Sequence, residues 1–574
     1  MQIPTLKQGN VSRENVTSFG GYHAGARIAE GEFAAMKNCT GDQFPLIATR
    51  RKRGVYAAPQ KCNGLLAKDS LCWVDGSKFV MNGYETELHL TDSPKQLVSM
   101  GAYVIIFPDK KYINTADLSD FGNLEAEFTS AGTVKFTPVD GDGKPLIPAY
   151  TQPEEPEKPE NGALWLDTSG AGALLQWSAG TGMWVSVDNT LVRISCPNMG
   201  VSFRPGDGVQ LTGVPAGVVT SGVIADCGRD YVTVPGLLER ETSLDTPVTV
   251  GRYLPLMDMV MECGNRLWGC RYGLNRAGAV VNEIYASKLG DFRNWNSFAG
   301  LSTDSYAASR GSDGAFTGAA ACLGGVIFFK EDCMERVYPS ATGAHQIVTL
   351  RCPGVKKGCH GAAAVVDGTL FYLGLGGVYA FDGSMPGCVS MPLGSVRYQD
   401  GAAAGWNGQY WLAARDGGGK RHLLVYDTAR GLWHRQDDAD IMAFTVCDGA
   451  LYGLARDGRL LDMTGGSGQQ ETALRWMAET GELGLSQPEN KYLARLELRV
   501  QPEDRARLEA SASYDGGRSW ETLGQVIGGD GQTRGYLLHL RPRRCRQVRL
   551  RLQGTGRCRV FSMSAVYEKG SDGP

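Results

Sequence analysis

A short unit recurs in this chain at intervals of about 40 residues, and this repeat constrains the fold more than any other feature of the sequence. Each copy has a turn of Gly, Asn or Asp, an apolar or aromatic strand, another turn and a second strand. The turn glycines Gly325, Gly368, Gly408 and Gly449 are separated by 43, 40 and 41 residues. This spacing is typical of the four-stranded blade of a β-propeller, in which stacked blades bury each other's faces.

Hairpins of the same texture also occur early in the chain, with copies that begin at Lys68 and Gly101. We therefore expect the first blades in 61–124 and the remaining blades in 251–465, with six or seven in all. The 77 glycines, 22 tyrosines and 18 phenylalanines favour many short strands joined by tight turns. The sequence thus predicts an all-β fold.

The repeat is interrupted between residues 125 and 250, which predicts inserted β modules at this point. At the centre of the interruption, TQPEEPEKPENG (151–162) is expected to be an extended, solvated linker. Three tryptophans, Trp165, Trp177 and Trp184, follow in turn-rich strands. Tryptophan in short strands is more often a core residue, but these three are also candidates for a glycan or fibre contact, because aromatic rings can stack on sugars.

The sequence pattern changes again after residue 465. Strands with alternating apolar and polar residues in 466–574 predict a jelly-roll-like β-sandwich. Residues 1–60 are predicted to be an N-terminal arm. In the C-terminal part, SYDGGRSW (513–520) resembles the Asp-box hairpin of sialidase-type propellers. It occurs once and outside the propeller repeats, so we interpret it as a structural turn in which Asp515 caps backbone amides above Trp520.

The formal net charge of −3 excludes a uniformly basic protein, so any contact with nucleic acid would need a local patch. Arg50, Arg51, Lys52 and Arg53 form one such patch and are candidates for contact with a partner or with nucleic acid. Arginines that partly alternate along 541–551 form the other, which we interpret as a solvated strand face.

The sequence offers no recognisable active site. Its seven histidines are isolated, its 15 cysteines form no C-x-x-C pair, and no nucleophile elbow, phosphate loop or dinucleotide fingerprint occurs. We therefore predict no catalytic residues, no cofactor and no metal site. MQIPTLKQGNVSREN lacks the apolar core of a signal peptide, and no run of about 18 apolar residues occurs, so we expect a soluble protein without a membrane-spanning segment.

Two stretches resemble a family of tail proteins of tailed bacteriophages. Residues 20–54, GGYHAGARIAEGEFAAMKNCTGDQFPLIATRRKRG, are similar to the entry arm of the family, with a Gly-rich start, a short helix and a basic RKRG turn. Residues 283–340 are similar to its propeller segment, in which S-x-x-G-D-x-x-N-(W/F) precedes I-F-F-K-E. The tryptophan-containing stretch from residue 161 looks like a small module of phage tail and tail-fibre proteins.

The resemblance implies a structural virion protein that forms a nozzle-like ring at the end of a phage tail. Such a protein would be made in the host bacterial cytoplasm, would assemble as a homo-oligomer, with a hexamer suspected, and would meet adaptor proteins, fibres and, transiently, the ejected DNA. Residues 50–53 would then contact an adjacent ring, a neighbouring subunit or nucleic acid, in that order of preference. The insertion would dock a fibre or a receptor-binding protein.

Two other functions remain open. One is a glycan-binding propeller that uses the three tryptophans, and the less favoured one is a glycoside hydrolase, which would need two carboxylates at a set separation. A propeller fold does not by itself determine the function. Ring assembly would favour the virion protein, glycan binding by single subunits would favour the glycan-binding propeller, and turnover of a glycan would favour the glycoside hydrolase.

Overall fold

The structure is a computed structural model that describes residues 11–570 apart from residues 171, 487, 539 and 542. The described residues form strands and two single-turn 3-10 helices, His360–Ala362 and Met391–Leu393, without any α-helix. The all-β prediction is confirmed. None of the described helices has the length and the apolar character needed to cross a membrane. The first ten residues of the predicted arm and the last four of the predicted sandwich lie outside the described residues.

Within the described residues, seven small sheets form the blades of a β-propeller, which agrees with the predicted six or seven. Blade 1 contains Cys62–Lys68, Ser70–Asp75, Lys78–Met81 and Tyr84–His89. Blade 2 contains Gln96–Met100, Tyr103–Phe107, Lys111–Asn114 and Phe121–Asn123. Blade 3 contains Met259–Glu262, Leu267–Leu274, Val280–Ala286 and Tyr306–Ser309. Blade 4 contains Gly318–Cys322, Gly325–Phe329, Cys333–Tyr338 and Gln346–Arg351. Blade 5 contains Ala364–Val366, Thr369–Leu373, Val378–Phe381 and Gly387–Cys388. Blade 6 contains Tyr398–Trp406, Gln409–Asp416, Arg421–Asp427 and Leu432–Arg435.

Blade 7 is completed by a strand from the other end of the chain. Its strands Ile441–Cys447, Ala450–Ala455 and Leu460–Asp462 come from the last repeat. Gly54–Ala57 then pairs antiparallel with Leu460–Asp462 on one side and with Gln469–Gln470 on the other. Because the first strands of blades 7 and 1 also contact each other, the circle of blades is closed.

The tight turn between the first two strands of a blade is the feature that made the repeat visible in the sequence. In blades 5, 6 and 7 the turn pairs are Asp367-Gly368, Asn407-Gly408 and Asp448-Gly449, and both residues of each pair have positive φ. A type I′ turn requires this backbone conformation, and Asn-Gly and Asp-Gly adopt it most readily. In blade 4 the pair is Leu323-Gly324, so the turn lies one residue before the predicted Gly325.

An inserted module follows blade 2, and its strands begin at Ala126 and end at Arg252. One of two sheets that pack together contains Ala126–Thr129, Thr249–Arg252, Gly208–Thr212 and Ser221–Val223. The other contains Asp226–Gly228, Tyr231–Pro235, Leu191–Ser195, Val134–Val139 and Thr242–Leu244. One apolar cluster is shared by the two sheets, so they form a single β unit. A third sheet, here called the tryptophan sheet, contains Tyr150–Gln152, Leu164–Asp167, Ala173–Ser178 and Met183–Ser186.

Two sheets packed around one core form a β-sandwich that combines both ends of the chain. The first contains Val11–Val16, Cys39–Thr40, Ile47–Thr49, Lys491–Pro502, Arg534–Leu538, Arg544–Cys545 and Cys558–Lys569. The second contains Gly21–Tyr22, Glu32–Lys37, Arg475–Thr480, Arg507–Ser513, Glu521–Ile527 and Arg549–Thr555.

The N-terminal segment is therefore not a separate arm. Between residues 11 and 49 it supplies strands to the sandwich, and from Gly54 it supplies the strand that closes the propeller. The short helix that the resemblance implies between the Gly-rich start and the basic turn of residues 20–54 is also wrong, because Glu32–Lys37 is a strand paired with Arg475–Thr480. Burial of Phe33 and Met36 in the sandwich core outweighs the helical propensity of this segment.

Candidate functional site

The tryptophan sheet has two chemically different faces. Strand register places Trp165 beside Leu175, and Trp177 directly opposite Trp184, so that all four side chains share one face. Tyr150 joins the same face because it pairs with Trp165. The opposite face carries three leucines that pack against other residues of the inserted module; they are Leu164, Leu166 and Leu174. The sequence therefore folds into a sheet that buries leucine and turns its aromatic rings to the other side.

The three predicted tryptophans lie in direct contact. The ring centroids of Trp165 and Trp184 are 5.3 Å apart, those of Trp177 and Trp184 are 5.4 Å apart, and both pairs are close to edge-on. Trp165 is 7% exposed, whereas Trp177 and Trp184 are half-buried. The indole N–H of Trp165 donates to the carbonyl oxygen of Gln152 at 2.9 Å. That of Trp184 is buried without a hydrogen-bond partner in the described part of the chain.

The Pro/Glu segment belongs to this sheet and is not simply a solvated linker. Tyr150–Gln152 pairs parallel with Leu164–Asp167, so residues 153–163 must cross one face of the sheet to join the two strands. Pro156 in this crossover is buried, while Glu155 and Glu157 beside it are exposed.

The arrangement leaves two half-exposed indole rings beside polar groups. Ser186 extends from the same face beside Trp184, and Asp167 and Gln152 lie on this face beyond Trp165. Large rings with a polar rim can stack on the apolar face of a sugar or anchor an aromatic or proline-rich segment of a partner. The tryptophan sheet is therefore the best candidate ligand-binding surface of the inserted module.

The basic turn at residues 50–53 is split by the fold. Arg50 and Arg53 are 6% and 4% exposed, and both reach Asp437 in the segment after blade 6. Arg50 also pairs with Glu471 at 2.8 Å, and it donates from Nε to the Asn38 side chain at 2.6 Å. These two arginines hold the sandwich strands, the closing strand and blade 6 together, so they are not available as a surface contact.

Electrostatics supports this role of the buried arginines. Burial would raise the pKa of Asp437, but Arg53 and Arg50 hold it below its ordinary value. Burial likewise opposes ionisation of Glu471, and Arg50 keeps the pKa of that carboxyl below its usual range. Sequence analysis missed both acidic partners, because they lie hundreds of residues from the basic turn and no local pattern marks them.

The other two residues of the turn remain accessible. Arg51 is exposed and lines a small cavity together with Arg557 and Arg559. Lys52 is half-buried and donates to the carbonyl oxygen of Thr472 at 3.3 Å. Only these two of the four predicted residues stay candidates for contact with a partner or nucleic acid.

The later arginine-rich stretch is largely engaged on the sandwich surface. Arg551 pairs with Glu479 at 2.9 Å and stacks over the Trp520 ring at 3.8 Å. Arg549 approaches Glu482 at 3.6 Å. These pairs fit the interpretation of this stretch as an ordinary strand face.

The segment S-K-L-G-D-F-R-N-W (287–295) forms a loop of blade 3 that is hydrogen-bonded to the inserted module. Asn294 is 1% exposed; its Oδ1 accepts the N–H of Gly208 at 3.0 Å, and its Nδ2 donates to the carbonyl oxygen of Gly206 at 2.6 Å. Between these glycines, Asp207 forms a buried ion pair with Arg252 at 2.6 Å. The motif that carries the phage-tail resemblance is thus a structural joint.

The Asp box is a turn of the sandwich. Asp515 Oδ1 accepts the N–H of Ser519 at 2.9 Å, and Ser513 Oγ accepts the N–H of Gly517 at 2.9 Å. Trp520 lies beneath the turn and donates to the carbonyl oxygen of Gly517 at 3.2 Å. The predicted capping role of Asp515 is confirmed, and hydrogen bonds from the Ser519 hydroxyl, the Ser519 N–H and the Ser513 hydroxyl lower its pKa.

The innermost strands of the blades are built mainly of small and apolar residues, and they carry two carboxylates among the described residues. Glu262 accepts the N–H of Asn265 in a turn, and Asp400 pairs with Arg415 at 3.1 Å and Arg456 at 3.0 Å. In the part of the chain that is described, no group of three His, Cys, Asp or Glu residues is placed to hold a metal ion.

No protein-family model and no curated protein matches the chain. Among solved structures, an exo-β-1,3-galactanase from Phanerochaete chrysosporium is similar over 53% of this chain and 94% of its own, with 10% identity and a TM-score of 0.20. The sialidase of Trypanosoma rangeli is similar over 91% of this chain and 96% of its own, with 10% identity and a TM-score of 0.18. PorZ, a surface component of the type-IX secretion system of Porphyromonas gingivalis, is similar over 89% of this chain and 76% of its own, with 10% identity and a TM-score of 0.17. Similarity at this level carries no argument about activity.

Proposed function

We propose that this protein is a non-enzymatic structural subunit of a phage tail, which assembles with copies of itself into a nozzle-like ring. The observation that supports it most is the position of the two segments that resemble phage tail proteins. Both lie at joints between the propeller, the inserted module and the sandwich. A chain whose most recognisable residues join rigid units fits a building block of a larger assembly.

The first joint is made by residues 20–54. Their strands enter both sheets of the sandwich, and the arginines near their end pair with Asp437 of the propeller. Gly54 then begins the strand that closes blade 7. One continuous segment thereby fixes the sandwich against the propeller.

The second joint lies in residues 283–340. Asn294 is hydrogen-bonded to Gly208 of the inserted module. Lys330 of the I-F-F-K-E motif is 1% exposed. Lys330 Nζ donates to the carbonyl oxygen of Ser312 at 2.7 Å and lies 4.7 Å from the centroid of the Phe316 ring. The lysine of the motif is therefore used inside the fold and is not presented to a substrate.

Ring assembly can be tested on the purified chain by native mass spectrometry with particle imaging. We expect one closed homo-oligomer with a central opening wide enough for duplex DNA, formed between subunits. A second test is labelling of phage particles from the strain that carries the gene, with an antibody against the chain. Labelled tails would support the proposal, and particles that lack the chain would overturn it whatever oligomer forms.

A second candidate function is glycan recognition, which is favoured by the half-exposed Trp177 and Trp184 on the tryptophan sheet. It predicts that the protein binds specific oligosaccharides on a glycan array, and that Trp177→Ala and Trp184→Ala abolish this binding. Trp520→Ala is the matched control, since that ring stacks on Arg551 in the sandwich. Unchanged binding by Trp177→Ala would exclude this face as the site.

A further inference from the structure

A partly enclosed cavity of about 170 Å³ lies at the seam between the N-terminal segment and the sandwich. Thr40, Thr49 and Arg51 line it from the N-terminal side, and Arg557 and Arg559 line it from the last strand region of the sandwich. The cavity is remote in sequence from the tryptophan sheet, and the buried arginines Arg50 and Arg53 do not line it.

Two buried hydroxyl groups on its wall have protons to donate. Thr40 Oγ1 accepts the N–H of Asp42 at 3.2 Å, and Thr49 Oγ1 accepts the N–H of Cys558 at 3.0 Å. Both threonines are less than one-tenth exposed. Since each hydroxyl here acts as an acceptor, its own proton needs another acceptor, and no hydrogen bond within the described residues supplies one.

Three guanidinium groups add further donors to the same wall. Arg557 pairs with Glu503 at 3.2 Å, and Arg559 donates to the Gln501 side chain at 3.1 Å. The Arg51 side chain has neither a hydrogen bond nor an ion pair among the described residues. A guanidinium carries five N–H donors, so each of the three keeps donors that these contacts do not use.

The acidic side chains on the wall do not cancel this excess of donors. Glu503 is engaged by Arg557, and Asp42 Oδ1 accepts the Gln409 amide at 2.9 Å. The wall thus combines three cationic and two anionic side chains with two hydroxyl donors. A ligand that complements it has several acceptors and a negative charge.

We propose that this cavity is a binding site for a small oxyanion, held by Arg51, Arg557 and Arg559 and by the hydroxyls of Thr40 and Thr49. Its volume admits one oxyanion group with a few water molecules, each of which takes about 30 Å³. Planar guanidinium groups bind phosphate and carboxylate through paired N–H donors, so the group can come from a phosphate or from a carboxylate.

The test measures binding of inorganic phosphate and of acetate to the full chain, by calorimetry and by the shift in thermal unfolding, against chloride at equal ionic strength. A ligand that binds the native state raises the unfolding temperature in a saturable way. We expect saturable stabilisation that falls at least tenfold in affinity in Arg51→Gln and Arg559→Gln. Arg541→Gln, an exposed arginine outside the cavity, should behave as the wild type.

The two ligands distinguish the source of the oxyanion. Stabilisation by phosphate alone identifies a phosphate-type ligand, and stronger stabilisation by acetate than by phosphate identifies a carboxylate. The proposal is overturned if neither ion binds better than chloride, or if Arg51→Gln keeps the wild-type affinity. Because Arg51 is exposed, Arg51→Gln should unfold at the wild-type temperature when no oxyanion is present, which separates loss of binding from loss of folding.

Discussion

Arg53 Nη1 lies 2.7 Å from Asp437 Oδ2, and both side chains are largely removed from solvent, with 4% and 14% exposure. The pair joins the residue that precedes the closing strand of the propeller to the segment that follows blade 6. An ion pair buried at such a joint makes the orientation of the two parts depend on both partners.

We expect Arg53→Ala to destabilise the protein by about 3–5 kcal/mol, because removal of one partner leaves the buried Asp437 carboxylate with less compensation. Denaturant unfolding would measure the change. The matched control is Arg459→Ala, since Arg459 pairs with Asp457 on the surface where each side chain is 53% exposed. That substitution should change the free energy of unfolding by less than about 1 kcal/mol. Equal effects of the two variants would contradict the structural role of Arg53.

The closing strand leaves no room for a side chain at its first residue. A methyl group on Gly54 would overlap the carbonyl oxygen of Ser467, which is backbone and cannot move aside freely. We expect Gly54→Ala to lower the free energy of unfolding by about 1–3 kcal/mol. It should also speed amide exchange in Leu460–Asp462. Gly132→Ala is the control, because nothing lies within 4 Å of the added methyl group. Wild-type exchange in Gly54→Ala would show that the closing strand tolerates the change.

Asn294 should control docking of the inserted module. Asn294→Ala leaves the buried Gly208 N–H without its partner, which costs about 1–3 kcal/mol. It also removes one of two donors to the Gly206 carbonyl oxygen, which keeps Lys288 Nζ at 3.5 Å. Hydrogen exchange should show faster exchange of the Gly208 amide, while amides in blade 6 keep their protection. Asn123→Ala, at an exposed position of blade 2, should change neither. Unchanged protection of the Gly208 amide in Asn294→Ala would exclude a role of Asn294 in docking the inserted module.

His434 should make the stability depend on pH. It is 4% exposed and packs against Gly41, and burial lowers its pKa from 6.5 to about 4 in spite of the nearby Asp42 and Asp427. The unfolded state therefore binds a proton between about pH 6.5 and pH 4 that the folded state does not bind, so stability falls as the pH drops through this window.

From neutral pH to pH 4 the loss attributable to His434 approaches about 3 kcal/mol, since one pKa unit corresponds to about 1.4 kcal/mol. The measurement is the free energy of unfolding of the wild type and of His434→Gln at several pH values. Glutamine does not titrate, so the variant should lose less stability on acidification. Parallel pH profiles of the two proteins would show that His434 does not titrate as the structure indicates.

The sequence by itself determined the features that depend on neighbouring residues. Asn407-Gly408 and Asp448-Gly449 adopt the positive φ values of a tight turn, which such pairs favour locally, so the blade repeat and the all-β fold could be predicted from their spacing and the strands between them. The capping role of Asp515 was also predictable, because its partner Ser519 lies four residues away.

The tertiary structure decided what depends on residues far apart in the chain. The basic turn looked like a surface patch, but Arg50 and Arg53 are buried because Asp437 and Glu471 fold against them. A strand at residues 54–57 closes the propeller only because the open edge of Leu460–Asp462 needs a partner for its backbone groups. Similarly, the cross-strand register brought Trp177 and Trp184 into contact. Long-range pairing of charges and strand edges leaves no local pattern in a sequence, and this is why these features could be found only in the folded chain.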